Sequence, residues 1–406
     1  MRAVSEPQRV DPGLKVSGDA ERGRLVGLDG IRGLAALFVV LHHCWLLSFP
    51  GYPADTGPAW AGWMLYGHFA VVVFIVLSGF SLAVSPARRE WQLGGRARFA
   101  HRRAWRILPP YWAALLLSLV VAWTVVPQPF TSEPTAKSVV VYGLLLQDIF
   151  GSPTPNGAMW SIAVEAQLYL VFPLLLVVVR RVNAAVMLAA VTAVVVTVGV
   201  LSPGMSLVSK LMRLTPQFAA LFALGVVAAG ILCASERVRR LPLHWLAGLA
   251  AVPVFALIVV EGSVWTVKHY FWIDLALGPA IGLLLAAVAT RRPAPLVRLL
   301  DTRPVHSLGT FSYSLYLTHA PIVVAIHEKI VAPHMALGIP AFLVTLAIAV
   351  PVTVVVARLF AAVFEIPFQR YRSWTPLRAA MRARLTRPHR AAAPLPVAEP
   401  VPVSEP

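Results

Sequence analysis

Long apolar stretches separated by short charged segments dominate this sequence of 406 residues. A helix rises about 1.5 Å per residue, so about 20 apolar residues cross the roughly 30 Å hydrocarbon core of a bilayer. Ten stretches of about that length follow one another along the chain. Charged residues make up only 13% of the chain, whereas a typical soluble protein has about a quarter. The sequence therefore predicts an all-α fold, a polytopic transmembrane helical bundle with about ten spans. The predicted spans are Ile31–Phe49, Trp63–Val84, Leu108–Val126, Ser161–Val179, Ala184–Leu201, Phe218–Ala234, Leu243–Val260, Phe271–Thr290, Leu308–Ile326 and Ala336–Phe364.

The distribution of Lys and Arg predicts the orientation of these spans. The net charge is +17, and 28 of the 35 Lys and Arg lie in alternate segments between spans. The positive-inside rule then predicts that both termini are cytoplasmic, and it accounts for the charge without a nucleic-acid partner. Arg outnumbers Lys, and Ala and Val are abundant, which hints at a GC-rich bacterial genome. We therefore expect a multi-pass protein of a bacterial cytoplasmic membrane.

The chain divides into a polar N-terminus at residues 1–24, expected to be disordered, a membrane domain at residues 25–370, and a basic, then Pro-rich cytoplasmic tail at residues 371–406. The short apolar stretch Val139–Leu146 is predicted to be interfacial or re-entrant, and the overlong last span to tilt or bend near Pro351. We find no internal repeat and no appended soluble domain. Only two cysteines occur, which excludes a disulfide framework and a Cys-rich metal site.

Ionisable residues inside a span are costly and are candidate site residues by default. In the first span, Asp29 is explained as an N-cap and Arg32 as a side chain that reaches the cytoplasmic surface. His43 lies eleven residues, or roughly 16 Å, deeper than Arg32, so it cannot reach that surface. Adjacent helical positions diverge by about 100°, so His42 and His43 cannot face the same pocket. The alternative for either histidine is a neutral ring that hydrogen-bonds a neighbouring helix.

Glu165 is the second ionisable residue at mid-membrane depth. It lies roughly 9 Å below the outer surface on the inward-running fourth span, and His43 lies about 12 Å below that surface on the first. A carboxylate beside an imidazole is a common way to hold and charge a general base. Similar depth does not establish contact, and an interhelical hydrogen bond that aids assembly is the alternative.

The ninth span carries Tyr313, Tyr316 and His319 at steps of three residues, so each is a helical neighbour of the next. Together they spread over one broad side of the helix, which suits a hydroxylated ligand or a polar cavity. Tyr hydroxyls that satisfy backbone groups are the alternative.

Arginines on the cytoplasmic side form the last cluster. Arg103 and Arg106 share one helical face and point toward the same membrane edge as Arg32. Converging guanidinium groups suit the phosphates of a nucleotide-like donor, although the positive-inside rule alone explains most of this charge. His269 and Asp274 satisfy the H-x4-D spacing of some acyltransferases, but the match is weak because so short a motif arises by chance.

Several of these segments resemble the acyltransferase family 3 membrane proteins, which include bacterial O-antigen acetylases and macrolide acyltransferases. The resemblance covers roughly residues 25 to 365 and depends on the order and spacing of several short motifs. The motifs are Leu28-Asp29-Gly30-Ile31-Arg32-Gly33 with ten residues between Arg32 and His43, Val76-Leu77-Ser78-Gly79-Phe80, Arg103 with Arg106, Trp160-Ser161 through Glu165-x-Gln167-x-Tyr169, and Ser312-Tyr313-Ser314-Leu315-Tyr316-Leu317 with His319.

The resemblance implies O-acyl transfer from a cytoplasmic acyl-CoA, acetyl-CoA above all, to a hydroxyl of a sugar or glycosylated acceptor. It implies no bound cofactor or metal, and it implies the form without an extracytoplasmic hydrolase-like domain. By this resemblance His43 is the catalytic base, with Glu165 to orient it or balance its charge, and Arg32, Arg103 and Arg106 contact the donor. The chain departs from the family pattern at Ala166, where an acidic residue is common, and at Thr318 and Ala320, where tryptophans are common. The residues expected at the acceptor or in the pocket are Trp160, Gln167, Tyr169, Tyr313, Tyr316 and His319.

Two other classes of function use the same buried groups. A proton-coupled transporter or flippase would use His43 and Glu165 as a proton relay, although the chain lacks the two related halves that many transporters show. In a non-catalytic sensor or assembly protein the same groups would only bind helices together. Release of free CoA from an acyl-CoA distinguishes the enzyme from both.

Overall fold

The computed structural model describes residues 25–385, which form helices joined by loops, with no β-strand in that range. The all-α prediction is therefore confirmed. Short 3-10 segments occur at Gly62–Tyr66, Met212–Leu214 and Ile231–Cys233, and π-helical segments at His327–Val331 and Ala361–Glu365. The helices are α1 Leu28–Ser48, α2 His68–Ala87, α3 Arg96–Thr124, α4 Ala136–Gly143, α5 Trp160–Arg181, α6 Ala184–Leu201, α7 Ser206–Leu211, α8 Gln217–Gly230, α9 Glu236–Arg239, α10 Leu243–Lys268, α11 Tyr270–Ala289, α12 Ala294–Leu300, α13 Arg303–Thr310, α14 Ser312–Ile326, α15 Ile339–Phe360, α16 Ile366–Tyr371 and α17 Trp374–Leu385.

Eight helices within residues 25–385 are long and apolar enough to cross a membrane. A ninth is added if Ser206–Leu214 and Gln217–Cys233, which meet at 48°, count as one bent span. The ninth predicted span is divided between α13 and α14, and α14 has only 15 residues. A count of ten spans and cytoplasmic termini therefore stay predictions, whereas a multi-pass helical bundle is confirmed.

Several expected boundaries differ from the structure. The helix α1 begins at Leu28 after Gly27, whose φ is 89°, so the expectation that Asp29 caps the helix is wrong. Asp29 instead accepts a hydrogen bond from Arg32 one turn later, at 2.9 Å. The helix α3 begins at Arg96, twelve residues before the apolar stretch, because nothing in its basic segment breaks a helix. Its prolines at 109 and 110 are accommodated within it.

The C-terminal span and the flanking segments show where the regular helix is interrupted. The helix α15 is continuous through Pro351, and the irregular backbone lies ten residues later at Ala361–Glu365. The eight-residue helix α4 is too short to span, as predicted for the Val139–Leu146 stretch. Residues 1–24 and the Pro-rich end of the tail lie outside the described residues.

Two glycine contacts hold the helices α2 and α8 at very short distance. A Cβ at Gly79 of α2 would lie 2.2 Å from the Phe222 carbonyl oxygen, and one at Gly225 of α8 would lie 2.1 Å from that of Val76. Only glycine lets two backbones approach so closely, and small residues at helix contacts are typical of membrane proteins. This contact fixes the face of α2 that carries Ser78.

The glycines of the Leu28–Gly33 motif have the same use on α1. A Cβ at Gly30 would lie 2.2 Å from the Leu300 carbonyl oxygen, and one at Gly33 would lie 2.6 Å from the Gly309 nitrogen. Both glycines therefore pack α1 against α12 and α13 on one side. Arg32, between them in sequence, lies on a different side of the helix and lines an internal cavity.

Candidate active site

One histidine of α1 and one of α14 meet in the interior. His43 Nδ1 lies 3.3 Å from His319 Nε2, and the two rings meet edge to face with centroids 4.8 Å apart. His319 is fully buried. The structure thus brings together two residues that are 276 positions apart in the chain.

The backbone contacts of these rings define their tautomers. His43 Nδ1 lies 2.8 Å from the Val39 carbonyl oxygen, and His319 Nδ1 lies 2.8 Å from that of Tyr316. A carbonyl oxygen only accepts, so each Nδ1 carries a hydrogen and each neutral ring keeps a lone pair on Nε2. His319 Nε2 then accepts from His43 Nδ1, and the lone pair of His43 Nε2 is left for a proton. This is the arrangement of an oriented general base.

His42 has a separate environment, as the 100° divergence predicts. Its Nδ1 lies 2.9 Å from the Met64 carbonyl oxygen, and its ring packs so closely on Gly67 that a Cβ there would lie 2.2 Å from the imidazole. His42 therefore joins α1 to the segment that leads into α2.

A cavity of about 100 Å³ lies among α1, α2, α3, α5 and α14. All three arginines predicted for the donor line it, together with Glu165. Tyr169, Tyr313 and Tyr316 complete its polar wall. Neither His43 nor His319 lines it, but the Tyr316 ring lies 5.8 Å from that of His319. The cavity therefore ends one aromatic ring away from the histidine pair.

Glu165 belongs to this cavity and not to the histidine pair. Its Oε1 accepts from the Ser78 hydroxyl at 2.7 Å and from the Tyr169 hydroxyl at 2.5 Å. Among the hydrogen bonds within residues 25–385, none joins it to His43. The partner that orients His43 is His319, so Glu165 has no direct part in holding that ring.

The charges of the cavity do not balance. Arg32 is paired with Asp29, and Glu165 is the one carboxylate among the described residues that line the cavity with Arg103 and Arg106. Arg103 lies against the rings of Phe99 and Tyr169, each at 5.9 Å, and its buried Nε has no hydrogen-bond partner among the described residues. An unsatisfied guanidinium N–H and an excess of positive charge favour an anionic ligand.

The residues predicted for the acceptor separate into four places, one of which is the pair that His319 forms with His43. Tyr316 donates to or accepts from Ser161 at 2.6 Å, and Tyr313 donates to the Ile107 carbonyl at 3.2 Å; with Tyr169 both line the cavity. Trp160 instead packs parallel to Phe218, with ring centroids 5.8 Å apart.

Gln167 lies elsewhere, on α5, where it faces the loop between α4 and α5. It donates to Asp148 at 3.5 Å. Burial raises the pKa of the Asp148 carboxyl to about 6, and the nearby Arg213 charge opposes that rise.

Two buried carboxylates were missed or misassigned from the sequence. Glu365 accepts from the Ser314 amide and hydroxyl, at 3.1 and 2.6 Å, and so joins the π-helical segment to α14. Asp274 pairs with His68 at 2.9 Å, whereas His269 stacks on Trp265, so the H-x4-D spacing does not mark a pair. An acidic residue inside an apolar stretch was the available signal, but periodicity does not name its partner.

Comparison with known proteins assigns the chain to a family. The family model of an acyltransferase domain, acyltransferase family 3, matches residues 25–358. YrhL of Bacillus subtilis, named as a candidate peptidoglycan O-acetyltransferase, is 27% identical over 344 residues, covering 78% of this chain and 50% of its own. The O-acetyltransferase OatA of Staphylococcus aureus is 24% identical, covering 75% of this chain and 51% of its own.

A third relative is the peptidoglycan O-acetyltransferase OatA of Listeria monocytogenes, 22% identical over 73% of this chain and 49% of its own. The chain thus spans about half the length of the curated relatives it matches. No solved structure matches it. Because the family model covers most of the sequence and all the helices that line the cavity, the chain belongs to the acyltransferase family 3 membrane proteins.

Proposed function

We propose that this protein moves an acyl group from a cytoplasmic acyl-CoA to a hydroxyl of a sugar or glycosylated acceptor, with His43 as the general base. The observation that carries this proposal is the His43–His319 pair beside an arginine-lined cavity. The pair leaves one imidazole lone pair for a proton, and the cavity has the charge to hold a phosphorylated donor.

The donor binds, in this account, with its phosphates among Arg32, Arg103 and Arg106. These side chains lie near the cytoplasmic end of α1 and α3 in the orientation predicted from the loop charges. The cavity is narrow and ends at Tyr316, so the pantetheine arm, and not the nucleotide, has to extend toward the histidines. The unpartnered Nε of Arg103 gives a direct reason for a bound anion.

In the chemical step, His43 first accepts a proton and then returns it. His43 Nε2 accepts the proton of the acceptor hydroxyl as its oxygen attacks the thioester carbonyl carbon. The C–S bond then breaks, and the CoA thiolate takes the proton back from the imidazolium. The Val39 carbonyl oxygen fixes the tautomer of His43 through Nδ1, and the His319 ring packs edge to face against the His43 ring. In a variant of this mechanism, His43 Nε2 itself attacks the thioester and passes the acyl group on.

Glu165 acts on the donor side in this proposal, and not as the partner of His43. With Ser78 and Tyr169 it forms a fixed polar group opposite the arginines. We expect it to keep the guanidinium groups oriented while the cavity is empty and to limit their repulsion. The acceptor class follows from the relatives, whose names refer to peptidoglycan, a sugar polymer.

The test is a reconstituted reaction with purified protein in liposomes. Acetyl-CoA labelled in the acetyl group is added with a panel of sugars that includes a disaccharide of N-acetylglucosamine and N-acetylmuramic acid. We expect free CoA to be released only with an acceptor, and the label to be found as an ester on the sugar. Sugar-independent proton or solute movement across the liposome without CoA release would instead support a transporter and contradict the proposal.

A further inference from the structure

A second polar cluster lies away from the arginine-lined cavity, where α2, α8 and α11 begin. The fully buried Asp274 carboxylate accepts from His68 Nε2 at 2.9 and 3.0 Å, and from Gln217 Nε2 at 3.2 Å. These three residues come from three different helices. The carboxylate holds the His68 ring with the hydrogen on Nε2, so Nδ1 of the neutral ring is an acceptor.

The hydrogen-bonding capacity of this cluster is not used up. Gln217 is only 6% exposed, yet its Oε1 has no partner among the residues that the structure describes. His68 Nδ1 likewise takes part in no hydrogen bond within residues 25–385, and the His68 side chain is 17% exposed. A buried amide oxygen without a donor destabilises the folded state. Two unused acceptors on side chains that both contact Asp274 therefore indicate a ligand that donates hydrogen bonds.

Aromatic rings enclose the same cluster. Tyr270 stacks on the His68 ring with centroids 4.1 Å apart, and Trp160 and Phe218 lie parallel to it at 6.2 and 6.1 Å. The Tyr270 hydroxyl lies 3.4 Å from that of Tyr52, whose side chain is exposed. The cluster thus opens to the surface at its tyrosine end. Aromatic walls with a few fixed polar groups are typical of sites for small hydroxylated ligands.

The position of the cluster relates it to the reaction centre. In the orientation predicted from the loop charges, α2 and α11 run inward, so their first turns face the extracytoplasmic side. Gly67, the residue before His68, places its amide 3.3 Å from His42 Nδ1, and His42 precedes His43. The cluster therefore lies next to α1 near His42, at the end of the helices that is predicted to be extracytoplasmic.

We propose that His68, Asp274 and Gln217, with the rings of Trp160 and Tyr270, form an extracytoplasmic subsite that binds the sugar acceptor by its hydroxyl groups. This inference rests on the proposed function and adds a location and residues for the acceptor. His68 Nδ1 and Gln217 Oε1 accept hydrogen bonds from sugar hydroxyls. Asp274 fixes both side chains by accepting from His68 Nε2 and Gln217 Nε2. His68 binds and orients the acceptor, and His43 takes the proton.

The experiment compares wild-type protein with His68→Gln, Asp274→Asn and the control His269→Gln. His269 lies at the start of the same helix α11 but stacks on Trp265 outside the cluster. The sugar of the panel that stimulates CoA release most is titrated, and acetyl-CoA affinity and thermal unfolding are measured in parallel. We expect the acceptor KM to rise about 10-fold or more in both cluster variants, as the loss of a hydrogen bond to a charged pair predicts.

Each outcome decides the proposal. A raised acceptor KM with unchanged acetyl-CoA affinity and unchanged unfolding temperature supports the subsite. An unchanged acceptor KM overturns it, and so does an equal loss of donor affinity and thermal stability, which would show that the cluster only joins helices. The wild-type protein is assayed before any variant. If no sugar stimulates its CoA release, the proposed function itself fails.

Discussion

Replacing Arg103 with glutamine tests whether the cavity binds the phosphates of the donor. The side chain lines the cavity, and its buried Nε lacks a partner within the described part of the chain. Arg32 is neutralised by Asp29 at 2.9 Å, and Glu165 is the one carboxylate among the described residues that line the cavity with Arg103 and Arg106. The residues that line the cavity therefore carry an excess of positive charge, which the substitution reduces.

The expected magnitude follows from the type of bond that is lost. A hydrogen bond that involves a charged group contributes about 1.5–3 kcal/mol. That range corresponds to a loss of acetyl-CoA affinity of about 10-fold to 100-fold. Arg102→Gln is the matched control, because Arg102 is the neighbouring residue, is exposed, and does not line the cavity.

The assay compares two donors by isothermal titration, acetyl-CoA and acetyl-pantetheine. Both present the same thioester and arm, but acetyl-pantetheine has neither the diphosphate nor the nucleotide. We expect Arg103→Gln to weaken acetyl-CoA and to leave acetyl-pantetheine within about twofold of wild type, since only phosphates pair with the guanidinium. Equal losses for both donors, or the same loss in the Arg102→Gln control, would refute the assignment of the cavity to phosphate.

Two further changes test the packing and a titrating loop residue. Gly225→Ala should lower the unfolding temperature by several degrees, because its Cβ would lie 2.1 Å from the Val76 carbonyl oxygen. The control Gly248→Ala should not, because the space around that glycine is open. Equal shifts of the two variants in a thermal melt would contradict the packing. The pKa of Asp148 is raised to about 6, so the folded state holds that proton more tightly than the unfolded state. Its contribution to the unfolding free energy therefore falls as the pH rises from about 4 to about 6. Thermal melts from pH 4 to 8 should show this loss in wild type and not in Asp148→Asn, and parallel profiles for the two proteins would rule it out.

The sequence predicts the helices and the set of candidate groups well, because apolar length and buried charge are local properties. It also anticipates that Arg32, Arg103 and Arg106 share one region, since positive charge is confined to one side of the membrane. The structure brings these three side chains into one cavity.

The sequence does not show which sides of the helices contact each other. Similar depth suggested that Glu165 lies beside His43, yet the structure pairs Glu165 with Ser78 and Tyr169, and His43 with His319. Depth is set by distance along each helix, but contact also requires helix rotation and neighbour order. These depend on close contacts such as that of Gly79 with Phe222, which pattern alone does not identify.

The same reason explains the His68–Asp274 pair. Asp274 is recognisable as an acidic residue in an apolar stretch, but its partner is 206 positions away. The local H-x4-D spacing pointed to His269, whose ring instead stacks on Trp265, four residues earlier in the chain. Spacing within one helix describes neighbours on that helix and not partners on another.

The most direct test of the central claim is the rate of acyl transfer by His43→Ala, measured with labelled acetyl-CoA and the acceptor that wild type uses. Acetyl-CoA affinity is measured in the same preparation, and His334→Ala, which removes an exposed histidine, is the control. We expect a loss of about 10²-fold to 10⁴-fold in rate, as for the removal of a general base. Acetyl-CoA affinity should stay near the wild-type value, since His43 does not line the donor cavity. Transfer by His43→Ala at more than a tenth of the wild-type rate would contradict the account.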